Sequence, residues 1–169
     1  GAPMKAAPFA FWNTLIDADT AGIRDRRLTA KLGLLAEAGF DIDGDVVSGA
    51  MRHASQQFDR SWRGNRYYGA QHAVDDIVEH LGIDASPELR AGLLATITDP
   101  DPAHDPHPTP HIGDALEGLR SAGVRIGIIC DVGLAPSTTL RRFLAGHGLL
   151  GYFDHWSFSD EVGTFKPDP

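Results

Sequence analysis

Four hydrophobic stripes at helical spacing follow one another between about Asp25 and Thr98, and they constrain the fold more than any other feature. The stripes consist of Leu28, Leu32 and Leu35; of Val47, Ala50, Met51, Ala54 and Phe58; of Val74, Ile77, Val78 and Leu81; and of Leu89, Leu93, Leu94 and Ile97. Ser86 before Pro87 predicts the first turn of the fourth helix. Because each amphipathic helix must bury its stripe, the segment predicts a small bundle of four packed helices.

Apolar runs of strand length flank this helical segment. Phe9–Trp12 predicts a buried first strand that ends in a turn at Asn13 and Thr14. Pro8 cannot donate to a sheet ladder, so it belongs either at the first residue of a strand or on a sheet edge. After the helices, five prolines in the segment 98–110 predict a stiff connector without helix or sheet.

The remainder of the chain alternates helix and strand. Thr109 is predicted to cap a helix that ends at Gly123, and the β-rich run Val124–Cys130 follows it. A further helix over 136–147 leads to a short strand at Trp156–Phe158. Helix followed by strand is typical of a parallel sheet, so these segments predict an α/β core.

The charge balance excludes several classes of function. The chain has 23 acidic and 15 basic side chains, for a formal net charge of −8, and no run of lysine or arginine. It therefore lacks the electrostatic footprint of a protein that binds nucleic acid or an anionic membrane. No apolar stretch is long enough to span a bilayer and no signal-peptide pattern is present, so a cytoplasmic protein is expected. Cys130 is the single cysteine, which excludes an intrachain disulfide and cysteine-rich zinc sites.

Three segments resemble the motifs of the haloacid dehalogenase (HAD) superfamily. Residues 9–15, FAFWNTL, are similar to its first motif, a hydrophobic strand that ends in D-x-x-x-[TV]. The segment Ile126–Gly133 occupies the place of the second motif, and Phe158–Gly163 with the segment Lys166–Pro169 resembles the third motif and its lysine.

The resemblance implies an α/β fold with a Rossmannoid three-layer core, built on a parallel sheet, and an inserted four-helix cap. The core would comprise residues 5–20 and 105–169, and the cap with its proline-rich connector residues 21–104. The C-terminal part of the core, with the acidic fourth motif, is expected to be missing from this chain. The first strand would then be an unpaired apolar edge, unless the polypeptide continues or a second copy covers it in a homodimer.

The family's chemistry depends on an aspartate that forms a covalent ester with the substrate, which water then hydrolyses. In this sequence the nucleophile position is Ala10. Trp12 stands where phosphatases carry a second aspartate, and Thr14 matches the motif's hydroxyl residue. Cys130 replaces the hydroxyl residue of the second motif, whereas Lys166 matches the lysine that stabilises developing negative charge. The resemblance implies Mg²⁺ only if the aspartate is restored and the fourth motif exists.

Three origins of Ala10 remain open. It is an engineered replacement of aspartate, a natural loss in a repurposed relative, or the product of a shifted motif alignment. Pro8 favours natural divergence, because silencing a nucleophile does not require a proline in the same strand.

Several further residues have both a functional and a structural interpretation. Asp131 either contacts a ligand or caps a turn, and Cys130 can equally be a small buried apolar residue. The polar and aromatic loop after the second helix is a candidate substrate-binding element, together with the first turn, although a solvated loop would look the same. The candidates for substrate binding are Asn13, Arg63, Arg66 and Tyr67.

A histidine-rich stretch near the connector raises a metal hypothesis. Its potential ligands are His104, Asp105, His107 and His111. Intervening prolines keep the backbone extended and direct neighbouring side chains apart, so no metal is assigned.

The sequence thus predicts a HAD-like hydrolase of phosphomonoesters or haloacids that is inactive by the aspartyl mechanism while Ala10 is present. The alternatives are a non-hydrolytic protein that binds a small molecule in the cleft between cap and core, and an assembly subunit that pairs through its exposed sheet edge. Fold alone does not decide between them.

Overall fold

The chain divides into an α/β unit and a helical unit. The computed structural model describes residues 5–12, 14–17 and 20–166. The α/β unit contains residues up to 17, 101–132 and 137–166, and the helical unit contains residues 20–100 and 133–136. In chain order the elements are β1 (Ala6–Phe9), β2 (Ile16–Asp17), α1 (Thr20–Glu37), α2 (Gly44–Arg63), α3 (Ala70–Leu81), α4 (Pro87–Thr98), β3 (His107–Pro108), α5 (Ile112–Ser121), β4 (Arg125–Cys130), α6 (Ser137–Gly146), β5 (His155–Phe158) and α7 (Ser159–Val162).

The helical unit confirms the four helices that the hydrophobic stripes predict. The predicted cap of α4 is also present, because the Ser86 hydroxyl accepts a hydrogen bond from the Leu89 N–H at 3.2 Å. Gly82 ends α3 in the left-handed conformation, with φ of 64°. The stripes meet in one core, whose fully buried members include Val47, Ala50, Ala73, Val74 and Leu93. Burying a valine or leucine side chain contributes roughly 1.5–3 kcal/mol, so this core stabilises the unit far more than any single cap.

A three-stranded parallel sheet in the order β1-β4-β5 forms the centre of the α/β unit. The predicted strands at Val124–Cys130 and Trp156–Phe158 are confirmed, but the first strand is displaced: it is Ala6–Phe9 and not Phe9–Trp12. The chain leaves the ladder after Phe9 because the Phe11 carbonyl accepts hydrogen bonds from the N–H groups of residues 15 and 16, at 3.0 and 3.3 Å. Phe11 is buried in that turn and is not part of β1.

The two faces of the sheet differ. Ile126, Ile128 and Cys130 point to a buried face, whereas Ile129 on the other face is 42% exposed. Helix α6 covers the buried face, where the Arg141 guanidinium lies over the ring of Phe158 at 5.0 Å. Within the described residues, β1 has β4 as its one neighbour, so Pro8 lies on an edge strand, as expected.

The proline-rich connector is more ordered than predicted. It contains a single 3₁₀ turn, Pro102–His104, and the strand β3, which pairs antiparallel with β2. The prediction that prolines exclude both helix and sheet here is wrong, because residues next to the prolines supply the N–H donors that proline lacks. The Thr109 N–H donates to the Leu15 carbonyl at 2.9 Å, and the Ala103 N–H donates to the Asp101 carboxylate at 2.9 Å.

Helix α5 begins later than predicted. Its N-cap is His111, in a left-handed conformation with φ of 63°, and not Thr109. Thr109 contributes its carbonyl instead, which accepts from the Ile112 N–H at 3.2 Å, because Pro110 and His111 form a turn before the helix. Among the described helices, none is both long and apolar enough to cross a membrane.

Candidate functional site

The carboxyl ends of β1 and β4 bring Ala10 and Cys130 to the same edge of the sheet. Phe9 pairs with Ile128 in the parallel register, so Ala10, which follows β1, lies beside the last residues of β4. Ala10 is exposed, and the backbone N–H of Phe11 donates to the Cys130 sulfur. In open α/β sheets this edge is where ligands bind.

Cys130 is a neutral thiol in this position. Its side chain is 3% exposed, and burial raises its pKa to about 12. The nearby charge of Lys166 and the Phe11 N–H oppose this rise, whereas the carboxylates of Asp131 and Asp160 reinforce it. Because the thiolate is the nucleophilic and metal-binding form, this shift makes Cys130 less reactive than an ordinary cysteine.

Asp131 fixes the segment that carries Lys166. Its Oδ1 accepts a hydrogen bond from the Lys166 backbone N–H at 2.7 Å. The side chain therefore contacts the chain itself, and the lysine lies within electrostatic reach of Cys130. The structure thus brings together four of the predicted site residues, Ala10, Cys130, Asp131 and Lys166.

Two residues of the third motif that sequence analysis did not assign to the site bind the loop after β4. The Ser159 hydroxyl accepts from the Val132 N–H at 2.9 Å, and Asp160 Oδ2 accepts from the Ser137 N–H at 2.9 Å, at the start of α6. The position of Ser159 and Asp160 directly after a predicted strand was the available signal. These bonds, with that of Asp131, attach the third motif to the end of β4.

Asp160 has one further notable feature. Its Oδ1 is buried and has no hydrogen-bond partner among the described residues. It also contributes to the negative potential that raises the pKa of Cys130.

Solved structures of other proteins share this architecture. L-2-haloacid dehalogenase from Xanthobacter autotrophicus matches 98% of this chain and 61% of its own, with a TM-score of 0.52 and 21% identity. YfnB from Bacillus subtilis, assigned as a HAD-hydrolase and solved with magnesium, matches 98% of this chain and 69% of its own, with a TM-score of 0.61 and 14% identity. A predicted phosphoglycolate phosphatase from Haemophilus somnus 129pt matches 98% and 67%, with a TM-score of 0.54 and 15% identity. The fold is that of the HAD superfamily.

The chain spans 61% of the length of the dehalogenase, so the similarity concerns the fold of that part. No protein-family model and no curated protein sequence matches the chain. The function must therefore be argued from the residues at the site of this HAD-like chain.

Magnesium does not fit the residues present at this edge of the HAD-like sheet. The side chain of Ala10 is a methyl group and supplies no oxygen ligand, and Asp131 is bound to the Lys166 backbone. In the part of the chain that the structure describes, no group of three or more histidine, cysteine, aspartate or glutamate side chains is arranged to hold a metal ion.

The histidine-rich stretch is organised by ion pairs. Both oxygens of Asp105 accept from the Arg142 guanidinium, at 2.7 and 3.1 Å. His111 lies 3.8 Å from Asp114, with both side chains almost fully exposed. His104 belongs to the 3₁₀ turn and His107 to β3.

The rest of the first motif forms the turn after β1. Trp12 is 37% exposed, and its ring meets that of Phe11 edge to face at 5.3 Å. Thr14 is exposed in the same turn. Asn13 and the segment 167–169, which carried part of the predicted first and third motifs, lie outside the described residues.

The predicted substrate-binding loop belongs to the helical unit. Arg63 ends α2, and the Arg66 N–H bonds to the Ser61 carbonyl at 2.8 Å. Tyr67 is 43% exposed, with its ring edge to face with His72 at 5.7 Å. Their substrate role stays a prediction.

Proposed function

We propose that this chain is a HAD-like hydrolase scaffold whose site takes small anionic substrates, phosphomonoesters or haloacids, and that it lacks aspartyl transfer while Ala10 is present. The observation that carries the proposal is the exposed methyl group of Ala10 at the carboxyl end of β1, beside an otherwise ordered site. The similar structures include a haloacid dehalogenase and a predicted phosphatase, which supports these two substrate classes.

Lys166 is the residue proposed to attract the substrate. The charge of its ammonium lowers the pKa of Cys130, so this charge acts at the same edge of the sheet. The hydrogen bond from its backbone N–H to Asp131 fixes the position of its segment. A cation on a segment that the fold holds in place stabilises an anionic group with less reorganisation than a cation on a free segment. The neutral Cys130 thiol adds only a weak donor.

Ala10 blocks the covalent step for a simple reason. In the aspartyl mechanism a carboxylate oxygen forms a bond to phosphorus or to the halogen-bearing carbon, and the alcohol or halide leaves with the bonding electrons. Water then hydrolyses the ester and regenerates the carboxylate. A methyl group has no lone pair, so neither bond can form.

The test restores the nucleophile. Wild type, A10D and the matched control A10N are incubated with a panel of phosphomonoesters and 2-haloacids, with and without Mg²⁺, and released phosphate and halide are measured. We expect turnover by A10D to exceed turnover by both other proteins by at least about tenfold. Asparagine has nearly the same shape as aspartate, but its amide is a far weaker nucleophile than a carboxylate.

Two outcomes would count against the proposal. Turnover by wild type equal to that of A10D would place the nucleophile elsewhere. A folded A10D without turnover on any substrate would mean that the remaining site does not support hydrolysis.

An assembly role is a second candidate, favoured by the free side of β1. Within the described residues this strand pairs on one side only, with Ala6 and Pro8 exposed. Unpaired strand edges can accept a strand from a second copy, although Pro8 lacks one donor for such a ladder. Size-exclusion chromatography with light scattering tests this role, and a monomer at all concentrations would contradict it.

A further inference from the structure

A lysine occupies a core position of α1. Lys31 follows Leu28 by three residues and precedes Leu35 by four, so it falls on the apolar stripe of the helix. Its side chain is 1% exposed. Lysine is almost never fully buried unless it is paired, and a residue that breaks the local pattern in this way is a candidate functional group.

The ammonium of Lys31 is poorly satisfied. The one hydrogen bond that the structure gives it among the described residues runs to the Arg27 carbonyl, at 3.4 Å. An ammonium has three N–H donors, and a buried donor without a partner carries a cost of about 1–3 kcal/mol. Burial and the charge of Arg27 lower the pKa of Lys31 to about 8.

A second cation lies one turn away on the same face. Arg27 donates through Nη2 to the Ile97 carbonyl at 2.8 Å, but its Nε is buried without a hydrogen-bond partner among the described residues. Burial lowers its pKa as well, and the charge of Asp99 opposes that shift. Like charges at i and i+4 on a helix repel each other.

The charge of Asp99 acts on Arg27, whereas the causes of the Lys31 pKa shift include no carboxylate. A buried ammonium and a half-buried guanidinium, each with an N–H donor that lacks a good partner, form an arrangement that an oxyanion would complete.

We infer that Arg27 and Lys31 form a binding site for a small oxyanion, a phosphate or carboxylate group, within the helical unit. The oxyanion would accept hydrogen bonds from Lys31 Nζ and Arg27 Nε, which are the donors left without good partners. Charge-assisted bonds of this kind are about twice as strong as neutral ones. The site uses none of the residues assigned to the proposed hydrolase site.

The experiment is a calorimetric titration with inorganic phosphate and, separately, with acetate, at constant ionic strength made up with chloride. The proteins are wild type, K31M and R24M, the last removing an exposed arginine from the same helix. K31M removes a buried charge, so we expect it to remain folded. Binding to wild type and R24M should be saturable, and K31M should bind at least about tenfold more weakly.

K166M separates this site from the proposed hydrolase site. If K166M retains the binding that K31M loses, the Arg27–Lys31 site is supported whatever the fate of the hydrolase proposal. If K166M abolishes the binding and K31M leaves it unchanged, the anion belongs to the hydrolase site and the inference is wrong. Absence of saturable binding of both anions to wild type would also overturn it.

Discussion

Asp131 Oδ1 accepts a hydrogen bond from the backbone N–H of Lys166 at 2.7 Å, and this bond joins the end of β4 to the third motif. An aspartate directly after a strand can also face a ligand, but here one of its oxygens is committed to the chain. The site lysine therefore owes its position to a carboxylate 35 residues earlier in the sequence.

This bond predicts a graded response to substitution. D131A should lower the free energy of unfolding by about 1 kcal/mol, because the Lys166 N–H loses its acceptor. D131N keeps an oxygen acceptor and should lose less than half as much. Urea denaturation of the three proteins measures the difference. Equal stability of wild type and D131A would mean that the bond does not hold the segment.

The buried Lys31 predicts that stability rises with pH over an unusual range. Folding displaces its pKa from 10.5 to about 8, which at about 1.4 kcal/mol per pKa unit amounts to about 3 kcal/mol against the charged form. Between these pH values the unfolded chain binds more protons, so stability should rise as the pH increases from about 8 to about 10.5. In K31M this rise should disappear, and at pH 7 the variant should be more stable than wild type by up to about 3 kcal/mol.

Urea denaturation of both proteins at several pH values between 7 and 10.5 provides the measurement. The difference between the two curves isolates Lys31 from tyrosines and other groups that titrate in the same range. A constant difference across this range would show that Lys31 keeps its ordinary pKa in the folded chain.

The periodicity of the sequence was sufficient to predict the helical unit and two of the three sheet strands. The stripes of α1 to α4 each bury one face against the others, so the local pattern and the tertiary packing agree. The run at 124–130 is β-rich and lies in the middle of the sheet, where both neighbours favour the extended conformation.

The first strand was misplaced because an apolar run marks buried residues, whether they lie in a strand or in the turn that follows it. Phe11 is buried in the turn after β1, so an apolar residue there reads like part of the strand. The less apolar Ala6 and Pro8 form the ladder because the parallel register pairs them with Arg125 and Gly127.

The site was predictable only in part. Ala10, Cys130 and Lys166 could be located from motifs, because the ends of parallel strands meet at one edge. The bonds from Ser159 and Asp160 to the loop after β4 depend on contacts between residues more than 20 positions apart, which periodicity does not encode. Lys31 was missed because the sequence pattern does not tell whether a single lysine inside an apolar stripe is buried or reaches solvent.

The two ion pairs that arginines of α6 form predict different losses of stability when their carboxylates are neutralised. Each arginine forms two hydrogen bonds with its carboxylate, and each arginine side chain is about one third exposed, but the side chain of Asp105 is 18% exposed and that of Glu161 is 37% exposed. D105N should destabilise the protein by about 2 kcal/mol, because it leaves the partly buried guanidinium without its counter-charge. E161Q, the matched control in the other ion pair of α6, should cost less than about 1 kcal/mol, since solvent screens its more exposed carboxylate.

Thermal and urea unfolding of both variants give the comparison. Comparable losses in the two variants would show that exposure does not set the contribution of these pairs. Raising the salt concentration should reduce the small E161Q effect further and leave most of the D105N effect intact.

Cys130 should be nearly inert to alkylation in the folded protein. With its pKa raised to about 12 and its side chain 3% exposed, the thiolate fraction at pH 8 is about a thousandfold below that of an ordinary cysteine. Iodoacetamide should therefore label the folded chain at least about 100-fold more slowly than the urea-unfolded chain, as followed by intact mass. Because Cys130 is the single cysteine, the label reports this one position. Rapid labelling without denaturant would mean that the end of β4 opens locally, which is incompatible with a thiol held against the Phe11 backbone and with an ordered site at that edge.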